Sequence, residues 1–72
     1  MDADITVSRS VIEHLIREYI FSEKDRYILT RKLLDKITFE KIGEEIEMSD
    51  RQVKTRFKRA NAIIQEHIKR GG

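Results

Sequence analysis

The residues best suited to bind a ligand lie between Ser49 and Ala60, in the stretch SDRQVKTRFKRA. At helical spacing, the outward half of this stretch is long, polar and mostly cationic. Side chains of these types reach phosphates and base edges in the major groove of B-DNA, which admits an α-helix. The candidate DNA-binding residues are Ser49, Arg51, Gln52, Lys54, Thr55, Arg56, Lys58 and Arg59.

The opposite face of the same helix is apolar. Val53, Phe57, Ala60 and Ile64 recur at steps of four, three and four residues, which predicts a single stripe turned toward a core. Arg56 lies at the edge of this stripe and is the candidate closest to the core. Most runs of charge form a solvated helix face, so the alternative is that these cations bind nothing.

The preceding residues favour binding, because they predict a second helix close to the first. Thr38 can cap a helix on which Phe39, Ile42 and Ile46 share one face. Gly43 lies on this face as well. A glycine inside a helix costs about 1 kcal/mol relative to alanine, so Gly43 indicates that another helix packs closely here.

A tight turn joins the two predicted helices. Glu47-Met48 forms the turn, with Met48 placed to enter the angle between the helices. Ser49 and Gln52 then have the spacing of a capping box, S-x-x-Q, at the start of the second helix. Two helices joined in this way have the spacing of a helix-turn-helix, over residues 38–60.

Charge is divided unequally along the chain. Residues 1–47 contain 8 Lys/Arg and 11 Asp/Glu, a net charge of −3. Residues 48–72 contain 7 Lys/Arg and 2 Asp/Glu, a net charge of +5. The net charge of +2 for the whole chain hides this asymmetry. A polarised charge distribution steers the basic end toward a polyanion.

Length and composition predict one small domain over residues 1–72. The sequence has no Cys, which excludes disulfides and thiolate metal sites. It shows no signal peptide and no apolar run near the roughly 20 residues that span a bilayer. We therefore expect a cytoplasmic location and no membrane partner.

The flanking segments are also helical in pattern. Residues 1–21 predict an N-terminal amphipathic helix, residues 22–35 a second helix that starts at Ser22, and residues 61–70 an extension of the last helix. No segment shows the sustained alternation of a strand. The fold class that we expect is all-α, a small four-helix domain that contains a helix-turn-helix and no β-wing. The candidate caps of the first helix are Thr6, Ser8 and Ser10, and Ser10-x-x-Glu13 fits a capping box.

Residue types that support catalysis are scarce. The two histidines, His14 and His67, are far apart in sequence, and neither has other metal ligands beside it. There is no Gly-rich phosphate loop. We expect no enzyme, no cofactor and no metal site. The acids of the first helix of the pair, which fit an exposed and solvated helix face, are Glu40, Glu44, Glu45 and Glu47.

The stretch from Asp35 to Ala62 resembles the fourth conserved region of bacterial sigma factors, most of all the extracytoplasmic-function type. LuxR-type response regulators share much of the same pattern. The preceding SEKDRYIL also looks like the helix that precedes this motif, so the resemblance covers about residues 22–68. The matching residues are Phe39, Ile42, Gly43, Ile46, Glu47, Met48, Ser49, Val53, Lys54, Arg56, Phe57, Arg59 and Ala60.

The resemblance implies a helix-turn-helix that reads promoter DNA, with three departures. Glu47 stands where the family has a turn glycine, and therefore needs a conformation that favours glycine. Nothing corresponds to the sigma region that binds polymerase and melts the −10 element, so the chain is not a complete sigma factor. The helix in residues 1–21 is not part of the motif. Small free-standing proteins of this type are typical phage or prophage regulators; a domain of a longer regulator is the other interpretation.

Two functional hypotheses follow. In the first, the chain is a transcriptional regulator that binds specific double-stranded DNA. Arg51, Gln52 and Thr55 would then lie nearest the bases, and the residues near phosphates would be Lys54, Arg56, Lys58 and Arg59. In the second, it is an interaction module that docks through its acidic part on RNA polymerase or another transcription protein. A homodimer is left open, because Ile63 and His67 flank the buried stripe and fit either a dimer seam or contact with the first helix.

Overall fold

The computed structural model describes residues 8–71, and they form four helices. These are α1 (Arg9–Tyr19), α2 (Glu23–Leu29), α3 (Phe39–Ile46) and α4 (Asp50–Gly71). Within residues 8–71 there is no strand. The prediction of a small all-α, four-helix domain is thus confirmed. Thr6 and the rest of residues 1–7 lie outside the described part of the chain.

Hydroxyl side chains begin the first three helices by accepting hydrogen bonds from backbone N–H groups that no helical carbonyl can reach. Ser22 Oγ accepts from the Asp25 N–H at 3.3 Å, and Thr38 Oγ1 accepts from the Lys41 N–H at 3.2 Å. Thr38 was predicted as a cap, and Ser22 was predicted as the residue at which the second helix starts. The cap of α1 is Ser8, whose Oγ accepts from Val11 at 3.3 Å.

The capping box predicted at Ser10 and Glu13 is wrong. Ser8 has the extended backbone that an N-cap needs, with φ −69° and ψ 157°, whereas Ser10 already lies inside the helix. Because α1 starts at Arg9, Arg9 and Glu13 lie one helical turn apart. Their side chains form an exposed ion pair at 3.6 Å.

A π-helical segment, Thr30–Leu34, continues α2 and was not foreseen. The Asp35 N–H donates to the Thr30 carbonyl at 3.2 Å, and the Ile37 N–H donates to the Arg31 carbonyl at 3.0 Å. The extra residue in this turn rotates the side chains that follow by about 100° relative to a continuous α-helix. Together, α2 and this segment fill the range predicted for the second helix.

The core consists of two clusters that share α4. One contains Ile16, Ile20, Leu29, Ala60 and Ile64, and the other contains Ile28, Ile42 and Val53. Phe57 packs against both clusters. The apolar stripe predicted on the last helix is therefore buried, and it holds α1, α2 and α3 on one side of α4.

The connection between α3 and α4 is short because two residues allow it. Glu47 ends α3 in the left-handed conformation, with φ 57° and ψ 47°. Gly43 lies under the turn, where a Cβ atom would be 2.5 Å from the Met48 carbonyl oxygen and 3.5 Å from Val53 Cγ2. The close packing predicted for Gly43 is confirmed, and the nearest group is the backbone of the turn rather than a side chain.

Replacing Gly43 with alanine should destabilise the protein. Alanine gains about 1 kcal/mol in helix propensity, but its methyl group meets a backbone oxygen that cannot move without shifting the turn. We expect the free energy of unfolding to fall by about 1–3 kcal/mol in urea titration. The exposed neighbour variant Glu44→Ala is the control, with a change within about 0.5 kcal/mol. A Gly43→Ala protein as stable as wild type would contradict this.

Replacing Glu47 with glycine should have the opposite effect. The left-handed conformation costs a residue with a Cβ about 1–2 kcal/mol, a cost that glycine does not bear. We expect the free energy of unfolding to rise by about 1 kcal/mol after part of this gain is offset by the flexibility of glycine in the unfolded chain. Glu47→Ala removes the same charge but keeps the Cβ, so it should bring no such gain in the same measurement.

Candidate nucleic-acid interface

The start of α4 is held by the predicted capping box. The Gln52 N–H donates to Ser49 Oγ at 3.1 Å, and the Ser49 N–H donates to Gln52 Oε1 at 3.1 Å. Both residues are exposed. The box therefore orients the Gln52 side chain at the tip of the helix, and Ser49 has a structural partner of its own.

Burial of one face of α4 decides which face is turned to solvent. Val53 and Ile64 are fully buried, and Ala60 is almost so. The Phe57 ring meets the Phe39 ring edge to face, with centroids 5.2 Å apart, which connects the middle of α4 to the start of α3. The other side of the helix is left without protein cover.

Six of the candidate DNA-binding side chains share this exposed face or its margins: Arg51, Gln52, Lys54, Thr55, Lys58 and Arg59. Lys54 pairs with Asp50 at 3.5 Å, one turn earlier on the same helix. Arg51, Lys58 and Arg59 make no ion pair with any residue in the described range 8–71. These three cations are therefore available to an anionic partner.

Arg56 differs from the other candidates because it binds another helix. Its Nη1 atom donates to Asp25 Oδ1 at 2.9 Å, across 31 residues of sequence, and the Arg56 side chain is 40% exposed. The pair connects α4 to the first turn of α2. Arg56 thus positions the helix, and part of its guanidinium is already bound.

A shallow depression of about 330 Å³ lies beside the turn, and it is open to solvent. Met48 provides its apolar part. The Thr55 hydroxyl donates to the Arg51 carbonyl at 3.0 Å, so its only hydrogen is used inside the helix. Three of its five lining residues, Arg51, Gln52 and Thr55, were predicted to contact bases, and the other two are Met48 and Arg56.

An ion-pair network fixes α3 against the preceding segment. Glu45 accepts from the Arg31 guanidinium at 2.6 Å and 3.0 Å, and from the Tyr27 hydroxyl at 2.7 Å. The hydrogen bonds from Arg31 are the largest cause that lowers the pKa of Glu45, and the bond from Tyr27 is the second. The same bond to Glu45 raises the pKa of Tyr27. Glu45 lies on the predicted exposed acidic face, but its carboxylate also accepts hydrogen bonds from Arg31 and Tyr27.

The two histidines lie apart from this interface. His67 stacks on Tyr19 of α1, with ring centroids 3.6 Å apart and planes 12° apart, which favours the predicted contact with the first helix. Ile63, one turn earlier, is 42% exposed. Within residues 8–71, no three His, Asp or Glu side chains come together as metal ligands would.

Comparisons of the chain with protein-family models, curated proteins and solved structures find no match. Across the described residues, none of the helices has the length and apolar character needed to cross a bilayer.

The Glu45 network predicts a specific pH dependence of stability. Because the folded state lowers the pKa of Glu45, the network stabilises the fold above about pH 4.3, the ordinary glutamate value, and this contribution disappears as pH falls through the lowered pKa. Glu45→Gln should reduce the melting temperature at pH 7, and the difference from wild type should shrink in acid. Glu44→Gln is the matched control and should change little at either pH. An equal difference at pH 7 and pH 2 would count against this role of the carboxylate.

Proposed function

We propose that the chain is a small transcriptional regulator that binds specific sequences in double-stranded DNA. In this proposal, α3, the turn and α4 act as a helix-turn-helix, and the exposed face of α4 enters the major groove. One observation carries the proposal. The same helix that buries Val53 and Ile64 presents Arg51, Lys58 and Arg59 on its other side, without ion-pair partners among the described residues.

The distribution of charge supports a polyanionic partner. Residues 48–72 have a net charge of +5, against −3 for residues 1–47. The two acids of this basic segment are Asp50, which pairs with Lys54, and Glu66, which lies beyond the proposed contacts. Phosphate neutralisation supplies most of the affinity of DNA-binding proteins at low salt, so a concentrated cationic face favours this ligand.

In this proposal, the residues along α4 have different tasks. Arg51, Gln52 and Thr55 surround the depression at its start and are the proposed contacts to base edges. Lys54, Lys58 and Arg59 are the proposed phosphate contacts. Ser49 and Arg56 act mainly by positioning the helix, through the capping box and the Asp25 pair. The resemblance to sigma region 4 supports a helix-turn-helix over these residues.

The direct test is selection from a pool of random double-stranded DNA, followed by sequencing, at two salt concentrations. We expect an enriched motif, and we expect the double variant Arg51→Ala/Gln52→Ala to lose it. A palindromic motif would indicate that two copies bind together. Weak binding that disappears with salt and selects no sequence would overturn the proposal.

That negative result would favour the second hypothesis, docking on a basic surface of RNA polymerase or another transcription protein. Glu40, Glu44 and Glu47 are exposed on or beside α3 and would provide the acidic contact surface. Glu45 would take no part, because Arg31 and Tyr27 hold its carboxylate. Binding assays with purified polymerase, using a Glu40→Gln/Glu44→Gln variant, would test this alternative.

Removing a phosphate contact should weaken binding to every sequence alike. For Lys58→Ala and for Arg59→Ala, we expect the slope of log K against log salt to fall by about 1, because one fewer counterion is released. Arg17→Ala removes the same charge from α1, outside the proposed interface, and should leave the slope unchanged. Identical slopes for all three variants and wild type would contradict the phosphate assignment.

A further inference from the structure

The capping box limits how Gln52 can contact DNA. Its Oε1 atom already accepts the Ser49 N–H at 3.1 Å, and the two N–H donors of this exposed amide have no protein partner among the described residues. A glutamine that pairs with adenine through two bonds needs this same oxygen to accept from the adenine amino group. In this protein, the oxygen would have to accept both donors at once, because one of its two lone pairs already holds the bond that starts α4.

The neighbours of Gln52 are also donors or are otherwise engaged. The Arg51 guanidinium has only donors, is exposed, and has no ion-pair partner within residues 8–71. Thr55 cannot add a donor, since its hydroxyl hydrogen is bound to the Arg51 carbonyl at 3.0 Å. Asp50 is the acid nearest to them in sequence, and its carboxylate pairs with Lys54. The tip of α4 thus offers hydrogen-bond donors from two adjacent residues.

Among the bases, guanine is the one whose major-groove edge carries two acceptors, N7 and O6, and no donor. Adenine carries one acceptor and one donor, cytosine carries a donor, and thymine combines one acceptor with a methyl group. From this match, which rests on the proposed function, we infer that Arg51 and Gln52 read guanine at the end of the site that lies under the start of α4.

The first test uses the wild-type chain and chemically altered DNA, so no variant has to fold. Each guanine of the selected motif is replaced in turn by 7-deazaguanine, which lacks N7, or by inosine, which lacks only the minor-groove amino group. At one or two positions, 7-deazaguanine should reduce affinity about tenfold, the effect of one good base contact, whereas inosine should have no effect.

The second test changes the Gln52 side chain from a hydrogen-bond donor to an acceptor and keeps the capping box. In Gln52→Glu, a carboxylate oxygen can still accept the Ser49 N–H, as in the usual S-x-x-E capping box, but both donors are lost. We expect about tenfold weaker binding to the guanine site, and a new selection should enrich cytosine at that position, because a carboxylate accepts from its amino group. Gln65→Glu makes the same charge change 13 residues further along α4 and should keep the original motif.

The outcomes separate this inference from the proposed function. A selected motif without guanine under α4, or one indifferent to 7-deazaguanine and to Gln52→Glu, would overturn the guanine assignment and leave sequence-specific DNA binding standing. Failure to select any motif would overturn both. Loss of binding in Gln65→Glu equal to that in Gln52→Glu would show that charge alone is responsible, which also overturns the assignment.

Discussion

Burial of the apolar stripe of α4 is the constraint on which the rest of the structure depends. Val53 and Ile64 lie in different core clusters, so the same helix holds α3 at one end and α1 at the other. Each buried side chain of this size contributes about 1.5–3 kcal/mol, whereas an exposed ion pair contributes about 0–1 kcal/mol. The core therefore decides how α4 is rotated, and the exposed position of its cations follows from that rotation.

The short turn between α3 and α4 is the second constraint. Gly43 suits the close approach of the turn, whereas Glu47 takes a backbone conformation that is unfavourable for a residue with a Cβ. Gly43 lets the backbone of Met48 approach α3, which no larger residue in its place would allow. Glu47 takes a left-handed conformation that glycine would adopt at less cost. The turn holds because the capping box of Ser49 and Gln52 starts α4 immediately afterwards, so the backbone donors there are satisfied.

The arginines divide into two groups according to their partners. Arg9 donates to the Leu34 carbonyl and to Asp35, Arg26 to the Ile20 and Arg17 carbonyls, Arg31 to Glu45, and Arg56 to Asp25, so these four connect one helix or segment to another. Arg51 and Arg59 have no such partner among the described residues and are exposed. A guanidinium that is bound to a protein group must give up that bond before all its donors can bind a phosphate or a base. In the proposed function, Arg51 and Arg59 are therefore better placed to contact DNA than the arginines of the first group.

The sequence by itself determined the all-α class, the caps at Ser22, Thr38 and Ser49, and the buried stripe of the last helix, because each of these depends on residues within one or two helical turns. It did not reveal the π-helical segment, and it left Thr6, Ser8 and Ser10 as alternative caps of the first helix, since neighbouring hydroxyl residues offer nearly equal local signals. It predicted that the candidate residues of α4 face outward, with Arg56 nearest the core. Only the tertiary structure decided which charged groups are engaged: Asp25 meets Arg56 across 31 residues and Arg31 meets Glu45 across 14. Long side chains find such partners through the packing of whole helices, and no local pattern encodes that packing.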